Sequence, residues 1–264
     1  MTTVYLAAGG RQFAYSATPE ARQTVSASMV PAAWVREAAI LCSFVYLKPF
    51  VPVVAAAREW SLDSGAFTAR QSGQPITVSV YIDALKALRD SAVPFPGEVF
   101  SLDEIGDWRA SERNLRAIEA AGFRVIPVHH LGEPMDVLRA LSGEYPKVAL
   151  GGMARSSMAA LTPYVEAAFA VAWPRGCVFH GFGLHKEEVL MRFPFHSADA
   201  TSWQLGPLRY GNWKAYGKAA RGPRVGHDLT PEARLILDLE RRLKARWGAA
   251  LAGAQEVWRV RNTT

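Results

Sequence analysis

The sequence has little cysteine and no long apolar run, and each absence narrows the class of protein. Only two cysteines occur among 264 residues, Cys42 and Cys177, far apart and each within an apolar segment. They show neither CxxC spacing nor a nearby histidine pattern, which predicts two reduced core thiols rather than a zinc site. The longest apolar stretch, 38–57, is interrupted by a serine, a lysine and two prolines. No run therefore reaches the roughly 18 residues of a membrane span.

Targeting and nucleotide-binding signals are also missing. Residues 1–5 show neither the basic segment nor the apolar core of a signal peptide, so we expect a cytoplasmic protein. No GxGxxG follows the first apolar run and no Walker-type loop occurs, which argues against the nucleotide-cofactor folds. We therefore expect neither a cofactor nor a metal.

The net charge of +6 is concentrated near the end of the chain. Residues 204–247 hold ten Lys and Arg against four Asp and Glu, so the rest of the chain is balanced. A basic segment beside a neutral body indicates a polyanionic partner. A solvated basic helix without a partner is the alternative that this pattern leaves open.

Short β-rich apolar runs alternate along the chain with segments of helical spacing. The runs predict strands at 3–7, 40–47, 60–63, 99–103, 124–129, 148–151, 178–182 and 195–199. Helices are predicted at 80–89, 109–121, 133–142, 158–170 and 187–191, and a further helix begins at Thr230. Eight such units in about 200 residues favour an α/β fold, a (β/α)8 TIM barrel, over an open sheet. We predict this barrel over residues 1–203, and over 204–264 a basic, aromatic-rich loop and helical extension packed on it.

Unusual polar residues collect where the predicted strands end, which in a (β/α)8 barrel is the location of the active site. In chain order these are Asp63, Ser64 and Gly65, then Asp103, His129 and His130, then Gly151, Gly152 and Met153, and finally His180 and Asp199. One such aspartate can be only a helix cap or turn former, but three at corresponding ends indicate a shared site. The paired glycines would let a planar ligand approach the backbone, although a plain tight turn would explain them as well. For the histidines, the alternative is that they only pack the core.

These segments, in this order, resemble the tRNA-guanine transglycosylase superfamily over roughly residues 62–203. The most specific match is Asp63-Ser64-Gly65-Ala66-Phe67, which is similar to the family's Asp-Ser-Gly-Gly-Phe/Tyr stretch with alanine at the second glycine. Residues 149–153 look like its Gly-Gly-Leu segment, and residues 180–183 like its strand-seven His-x-x-Gly stretch. The family exchanges guanine in nucleic acid for 7-deazaguanine bases on a barrel fold.

The resemblance implies a role for each matching residue. It makes Asp199 the nucleophile and Asp63 the acid that contacts substrate and transfers protons. It implies base binding by Asp103, Ser64, Gly65, His129, Gly151, Gly152, Met153 and His180, with the glycine backbone reading the base edge. The His129-His130 neighbourhood is the weaker match, and the sequence leaves open which of these two histidines faces the pocket. Two displacements at one sugar carbon would retain its configuration.

Several departures from the family direct the prediction to one branch. The zinc-binding Cys-x-Cys-x2-Cys is missing, the usual Thr-Arg pair after the nucleophile is Thr201-Ser202, and Ala154-Arg155-Ser156 replaces a common glutamate. The nearer likeness is to the compact, zinc-less DNA 7-deazaguanine transglycosylases of phages and bacteria. We therefore expect DNA rather than tRNA as the polymer, a free modified guanine as the second substrate, and the host cytoplasm as the location if the gene is a phage's.

Aromatic and basic residues interleave directly after the predicted nucleophile. A target base must leave its stack to reach a barrel mouth, where aromatic rings stack on bases and cations meet phosphates. We predict nucleic-acid contacts at Trp203, Arg209, Lys214, Lys218, Arg221 and Arg224. The alternative for Trp203 is a packing role.

Three other functions fit the same residues. The exchange could take place on tRNA, since basic charge does not distinguish DNA from RNA. Paired carboxylates would also serve an N-glycosyl hydrolase, in which water replaces the incoming base. An inactive nucleic-acid-binding barrel is the third reading, against which Asp63 and Asp199 both argue. The sequence leaves the oligomeric state open, a homodimer included.

Overall fold

The chain has an α/β fold built on eight parallel strands. The computed structural model of the protein describes residues 2–8, 33–154, 156–184, 186–210, 212, 214–215 and 229–263. The strands are β1 Thr3–Ala8, β2 Ala39–Ser43, β3 Glu59–Asp63, β4 Glu98–Val99, β5 Val128–His130, β6 Lys147–Gly151, β7 Val178–Gly181 and β8 Ser197–Ala200. The helices are α1 Leu47–Ala56, α2 Ala66–Ser72, α3 Val78–Arg89, α4 Trp108–Ala120, α5 Met135–Glu144, α6 Met158–Ala172, α7 Glu187–Arg192, α8 Ser202–Tyr210 and α9 Thr230–Thr263. Short 3-10 helices lie at Ala33–Glu37, Phe44–Tyr46 and Trp173–Arg175.

The strands form one curled sheet in the order β4-β3-β2-β1-β8-β7-β6-β5. The first strand lies in the middle, where Tyr5 is paired with Ala39 of β2 on one side and with Asp199 of β8 on the other. The two outermost strands also approach each other: Phe100 and Ile126 form a parallel bridge just beyond β4 and just before β5. This order fits a (β/α)8-like architecture, and the predicted α/β fold with eight parallel strands is confirmed.

Helix caps position several of the crossovers between strands. The side chains of Thr77, Asp107 and Ser157 accept hydrogen bonds from backbone N–H groups in the first turns of α3, α4 and α6. Each of these residues satisfies a donor that would otherwise have no partner within its helix. Local chemistry thus fixes where these helices begin, and each then returns the chain to the next strand.

The two faces of the sheet carry different cores, because successive side chains along a strand point to opposite faces. The larger core lies between the sheet and the helices. A smaller cluster lies on the opposite face, which we call the inner face, and includes Tyr5, Leu41, Phe100, Val128 and Ala149. Candidate site residues that share this alternation therefore also point inward.

The last helix, α9, is fastened to the amino-terminal end of the sheet through Glu240. The Glu240 side chain is buried, accepts a hydrogen bond from the backbone N–H of Val4 at 3.3 Å, and pairs with Arg58 at 2.8 Å. A second cation, Lys244 of the same helix, also pairs with it. Because Val4 and Arg58 lie in or beside β1 and β3, one carboxylate joins the helix to two strands.

The structure differs from the predicted elements at a few places. The predicted strand at 40–47 ends at Ser43, since the apolar residues after it form a 3-10 helix and α1. Helices α1, α2 and α8 were not predicted, and α8 crosses the expected division between 1–203 and 204–264, which stays a prediction. In the described ranges no helix is both long and apolar enough to cross a membrane.

Candidate active site

Three carboxylates meet at the carboxyl-terminal end of the sheet. Asp63 is the last residue of β3, Asp199 lies near the end of β8, and Asp103 follows β4. Asp199 is 6% exposed and Asp103 is 9% exposed, and Asp63 is half-buried. The negative charges of Asp103 and Asp199 both act on the Asp63 carboxyl group. The three acids that the sequence analysis singled out therefore form one electrostatically coupled cluster.

Asp63 is the acid of this cluster that is poised to carry a proton. Burial, followed by the charges of Asp103 and Asp199, raises its pKa to about 7. The backbone N–H of Gly65 donates to Asp63 Oδ2 at 3.2 Å, which opposes this shift. Within the described residues no lysine or arginine forms an ion pair with Asp63. At neutral pH this carboxyl group can both accept and release a proton.

Asp103 is held by hydrogen bonds to both of its carboxylate oxygens. Ser64 Oγ donates to Oδ1 at 3.3 Å, and His130 Nε2 lies 2.7 Å from Oδ2. Burial by itself lowers the pKa of His130, but the hydrogen bond and charge of Asp103 outweigh it and the pKa is raised. The pair therefore presents a fixed carboxylate with a protonatable imidazole behind it.

Gly151 makes room for the imidazole of His130. A Cβ at residue 151 would lie 2.5 Å from His130 Nδ1, a distance that real Cβ atoms do not adopt. The sequence suggested that the Gly151-Gly152 pair opens the backbone to a planar ligand. At Gly151 the freed space is instead filled by His130, whereas Gly152 is exposed. The side chain of Met153 is 2% exposed and belongs to the core.

His130, and not the predicted His129, is the histidine that contacts the acids. His129 is fully buried, its Nδ1 lies 3.0 Å from the hydroxyl of Tyr164, and its Nε2 lies 3.3 Å from the carbonyl of Pro134. Burial lowers the pKa of His129 to about 4, so it stays neutral. Adjacent residues on a strand face opposite ways, and β5 directs His129 toward α6 and His130 toward the site.

Asp199 is oriented by the end of the neighbouring strand β7. The backbone N–H of Gly183 donates to Asp199 Oδ1 at 2.9 Å, and His180 Nε2 lies 3.4 Å from the same oxygen. Gly183 has a φ of +63°, and a Cβ there would approach the Cβ of Ala154 to 2.6 Å, so the turn that presents this N–H requires glycine. Donors of this kind stabilise an ionised carboxylate, which is the form that attacks carbon.

A buried polar chain that the sequence analysis missed lies behind Asp199 on the inner face. Lys147 Nζ is 2.5 Å from Glu98 Oε1 and 2.7 Å from Ser197 Oγ, and that hydroxyl is 2.9 Å from His180 Nδ1. The available signal was a charged residue at the first position of each of two strands, β4 and β6. Only the strand register shows that the two side chains face each other.

The predicted nucleic-acid residues have different fates. Trp203 is 3% exposed, packs edge-on against Trp34 at a ring distance of 5.5 Å, and donates to the carbonyl of Ala7. This placement corrects the stacking role predicted for Trp203. Because core residues surround the indole ring, neither of its faces is available to stack on a base. Arg209 lies in α8, and Lys214 is exposed. The other three, Lys218, Arg221 and Arg224, lie outside the described residues.

Most basic residues of α9 form ion pairs or hydrogen bonds, either within the helix or with neighbouring elements. Arg234 pairs with Glu37, Arg242 with Glu187 and Asp238, Arg241 with Asp238, and Lys244 with Glu240. Arg246 donates to the carbonyl of Met191 at 2.6 Å. The basic character of this segment is therefore partly structural, which favours the alternative reading for α9 itself.

The arrangement combines an oriented carboxylate with a second carboxyl group that titrates near neutrality. The first can attack an electrophilic carbon, and the second can move a proton to or from a leaving or entering group. Among the described residues no group of three or more His, Cys, Asp or Glu side chains is arranged to hold a metal ion. In comparisons with known proteins, no family model matches the chain and no curated protein matches it significantly.

Proposed function

We propose that this protein is a transglycosylase that exchanges guanine in DNA for a 7-deazaguanine such as 7-cyano-7-deazaguanine. The observation that carries the proposal is the cluster of Asp63, Asp103 and Asp199, in which one carboxylate is oriented and another has a pKa of about 7. Base exchange needs these two properties together. The motif resemblance over residues 62–203 supplies the substrate class.

The first half of the reaction releases guanine. The Asp199 carboxylate attacks C1′ of the target nucleoside, the C1′–N9 bond breaks, and its electron pair leaves with the base. Protonated Asp63 gives its proton to the departing guanine anion, directly or through one water. The products are a glycosyl ester on Asp199, neutral guanine and ionised Asp63.

The second half repeats these steps in reverse with a different base. Ionised Asp63 removes the ring N–H proton of the incoming 7-deazaguanine, and the resulting nitrogen attacks C1′. The ester bond to Asp199 breaks, which regenerates its carboxylate and leaves Asp63 protonated for the next turnover. One glycosidic bond replaces another of similar energy, so the exchange consumes neither ATP nor a redox cofactor.

Base recognition falls to the residues around Asp103. Its carboxylate accepts hydrogen bonds from the amide and amino edge of guanine, and its contacts with Ser64 and His130 keep it in place for this role. The exposed backbone at Gly152 contacts the carbonyl side of the base. A neutral purine gains most from such fixed acceptors, because they require no reorganisation when the base binds.

We also propose that the curled sheet closes into a complete barrel. Ser101 N–H donates to the carbonyl of Ile126 at 2.9 Å, and Ile126 N–H donates to the carbonyl of Val99 at 2.8 Å. These two bonds join the segments beside β4 and β5, which are the ends of the strand order. Closure brings β3, β4, β5 and β8 around one mouth, as a shared site requires.

The test is an exchange assay with the wild-type protein and the Asp199→Ala variant. Each is incubated with isotope-labelled guanine or 7-cyano-7-deazaguanine and, in parallel, with duplex DNA, single-stranded DNA or tRNA. Nucleosides from the digested polymer are then measured by mass spectrometry. We expect wild-type protein alone to incorporate label, and to do so into DNA.

The other outcomes separate the alternatives. Incorporation into tRNA alone would keep the mechanism and overturn DNA as the partner. Release of guanine without incorporation would indicate the N-glycosyl hydrolase. Binding of nucleic acid with neither release nor incorporation would leave the inactive barrel as the remaining reading.

A further inference from the structure

The buried chain behind Asp199 begins with a lysine whose three protons are all engaged. Lys147 Nζ lies 2.5 Å from Glu98 Oε1, 2.7 Å from Ser197 Oγ and 3.1 Å from His196 Nδ1. An ammonium group has three donors and no acceptor. Ser197 Oγ therefore accepts a hydrogen bond from Lys147, and its own O–H remains to be donated elsewhere.

That remaining proton sets the tautomer of His180. Ser197 Oγ lies 2.9 Å from His180 Nδ1, and among the described residues this nitrogen is the only contact of the hydroxyl that can accept its proton; donation there leaves Nδ1 with a lone pair. His180 is fully buried, and burial together with the charge of Lys147 holds its pKa well below the ordinary value. A neutral imidazole that accepts at Nδ1 carries its hydrogen at Nε2.

The hydrogen at Nε2 faces the proposed nucleophile. His180 Nε2 is buried, makes no hydrogen bond to any residue of the described part of the chain, and lies 3.4 Å from Asp199 Oδ1. Its ring is held from the other sides by Phe100 and Phe182, each with a centroid 4.6 Å away. The imidazole is thus fixed in orientation, with Nε2 next to the carboxylate.

We propose that Lys147 and Ser197 are positioning residues that hold His180 as its Nε2–H tautomer, so that this N–H supports the carboxylate of Asp199 during base exchange. The role rests on the proposed function. The N–H stabilises Asp199 before it attacks, and again as the ester bond breaks and negative charge returns to the carboxylate. The ring loses no proton in either step, so the balance of the reaction is unchanged.

The presence of two charged residues among the inward-facing side chains of the sheet supports a specific role for Glu98 and Lys147. The interior of a (β/α)8 sheet is ordinarily filled by branched apolar side chains. Replacing a buried ion pair with apolar residues of similar volume is often neutral or stabilising. Stability alone therefore explains Glu98 and Lys147 poorly. A fixed ammonium that donates to Ser197, by contrast, favours the Nε2–H tautomer of His180.

The test combines a direct view of the tautomer with kinetics. Nitrogen-15 NMR of histidine-labelled protein reports which ring nitrogen carries hydrogen, and a His180→Gln variant assigns the signal among the six histidines. In wild-type protein at neutral pH we expect hydrogen at Nε2 and a bare Nδ1. In Ser197→Ala we expect an Nδ1–H population, and a fall in kcat of about a hundredfold with little change in KM for the free base.

Two further variants keep the test independent of folding defects. Ser142→Ala removes another fully buried serine, on α5 and away from the chain, and should leave both tautomer and kcat unchanged. The double variant Lys147→Met with Glu98→Gln removes both charges at once, which avoids leaving one charge buried alone. It should alter the tautomer as Ser197→Ala does, with circular dichroism confirming the fold.

The outcomes distinguish this proposal from the proposed function. Hydrogen at Nδ1 in the wild type, or a tautomer that Ser197→Ala does not alter, would overturn the role of Lys147 and Ser197 even if base exchange occurs. The expected tautomer and its loss in both variants, in a protein that exchanges no base, would support the tautomer control and overturn the exchange function. A hundredfold loss in Ser142→Ala would also count against the proposal.

Discussion

Buried acids occur at both ends of the sheet, but their surroundings differ. At the amino-terminal end Glu240 is paired with Arg58 and Lys244. At the carboxyl-terminal end burial, followed by the charges of the other two site acids, raises the pKa of Asp63 to about 7. An acid that stabilises the fold through ion pairs thus lies at one end of the sheet, and the acids whose mutual repulsion suits them to catalysis lie at the other.

This comparison predicts that a variant of Glu240 should lower stability and leave activity unchanged, whereas a variant of Asp63 should lower activity without lowering stability. Acids that form ion pairs with neighbouring cations increase the free energy of unfolding, whereas acids that repel each other decrease it. The three substitutions below use this contrast, from the largest expected change in stability to the smallest.

Glu240→Gln should destabilise the protein without slowing base exchange. Loss of the carboxylate leaves Arg58 without its buried partner and weakens the link between α9 and β1, at a cost of about 2 to 3 kcal/mol in the free energy of unfolding. Urea unfolding followed by circular dichroism measures this change. Glu256→Gln, which removes an exposed ion pair with Arg259 in the same helix, is the control and should leave the unfolding midpoint where it is.

A lower kcat in correctly folded Glu240→Gln would contradict this difference between the two ends of the sheet. It would mean that Glu240 contributes to the site directly, and that stability and chemistry are not separated between the two ends of the sheet.

Asp63→Asn should have the opposite effect, because its carboxyl pKa in the folded state is about 7 against an ordinary value of 3.8. The stability that the protonated carboxyl group contributes is complete below the ordinary pKa and is lost as pH rises through about 7. The uncharged amide avoids that loss, so above pH 7 the variant should be more stable by on the order of 2 kcal/mol, allowing for partial exposure. Unfolding measured between pH 4 and 8 reports the difference between the two proteins.

The same variant should exchange bases about 10² to 10⁴ times more slowly, since the proton carrier is gone. A difference in stability that does not change between pH 4 and 7 would show that Asp63 is already ionised in that range. The proton transfer assigned to it would then need another residue.

Gly151→Ala tests whether the glycine serves His130. The new Cβ would collide with the imidazole, so the ring must shift away from Asp103, at a cost of about 1 to 2 kcal/mol. The pKa of His130, followed by NMR, should fall toward its ordinary value, and KM for the free base should rise several-fold. Gly143→Ala, where nothing lies within 4 Å of the new Cβ, should stabilise α5 by about 0.5 to 1 kcal/mol and leave His130 unchanged. A His130 pKa that stays raised in Gly151→Ala would contradict this reading.

The eight strands could be predicted because short β-rich runs and their turn residues are local signals. Residues 44–47 were read as an extension of β2, because a short apolar run has no periodicity that distinguishes a buried strand from a helix. The helix α1 that follows was not predicted, since its prolines argue against a helix, yet Pro49 lies in the first turn, where it is tolerated. The start of α9 at Thr230 was easier to predict, since capping signals act within a few residues of the helix end.

Site residues could be predicted from sequence only where they lie at the ends of strands that were themselves predictable. Asp63, Asp103 and Asp199 follow apolar runs, and their convergence follows from the parallel order of the strands. The choice between His129 and His130 depends on a one-residue register, which sequence patterns do not fix. The contacts of Lys147 with Glu98 and Ser197 join residues about 50 positions apart, so only the assembled sheet brings them together.

The most direct test of the central claim is to trap the sugar on the proposed nucleophile. Wild-type protein is incubated with a guanine-containing DNA oligonucleotide, released guanine is removed, and the reaction is quenched with denaturant for peptide mapping by mass spectrometry. We predict a covalent DNA adduct on the peptide that contains Asp199, absent from Asp199→Asn and discharged when free 7-deazaguanine is added. An adduct on another residue, or one that persists in Asp199→Asn, would contradict the account.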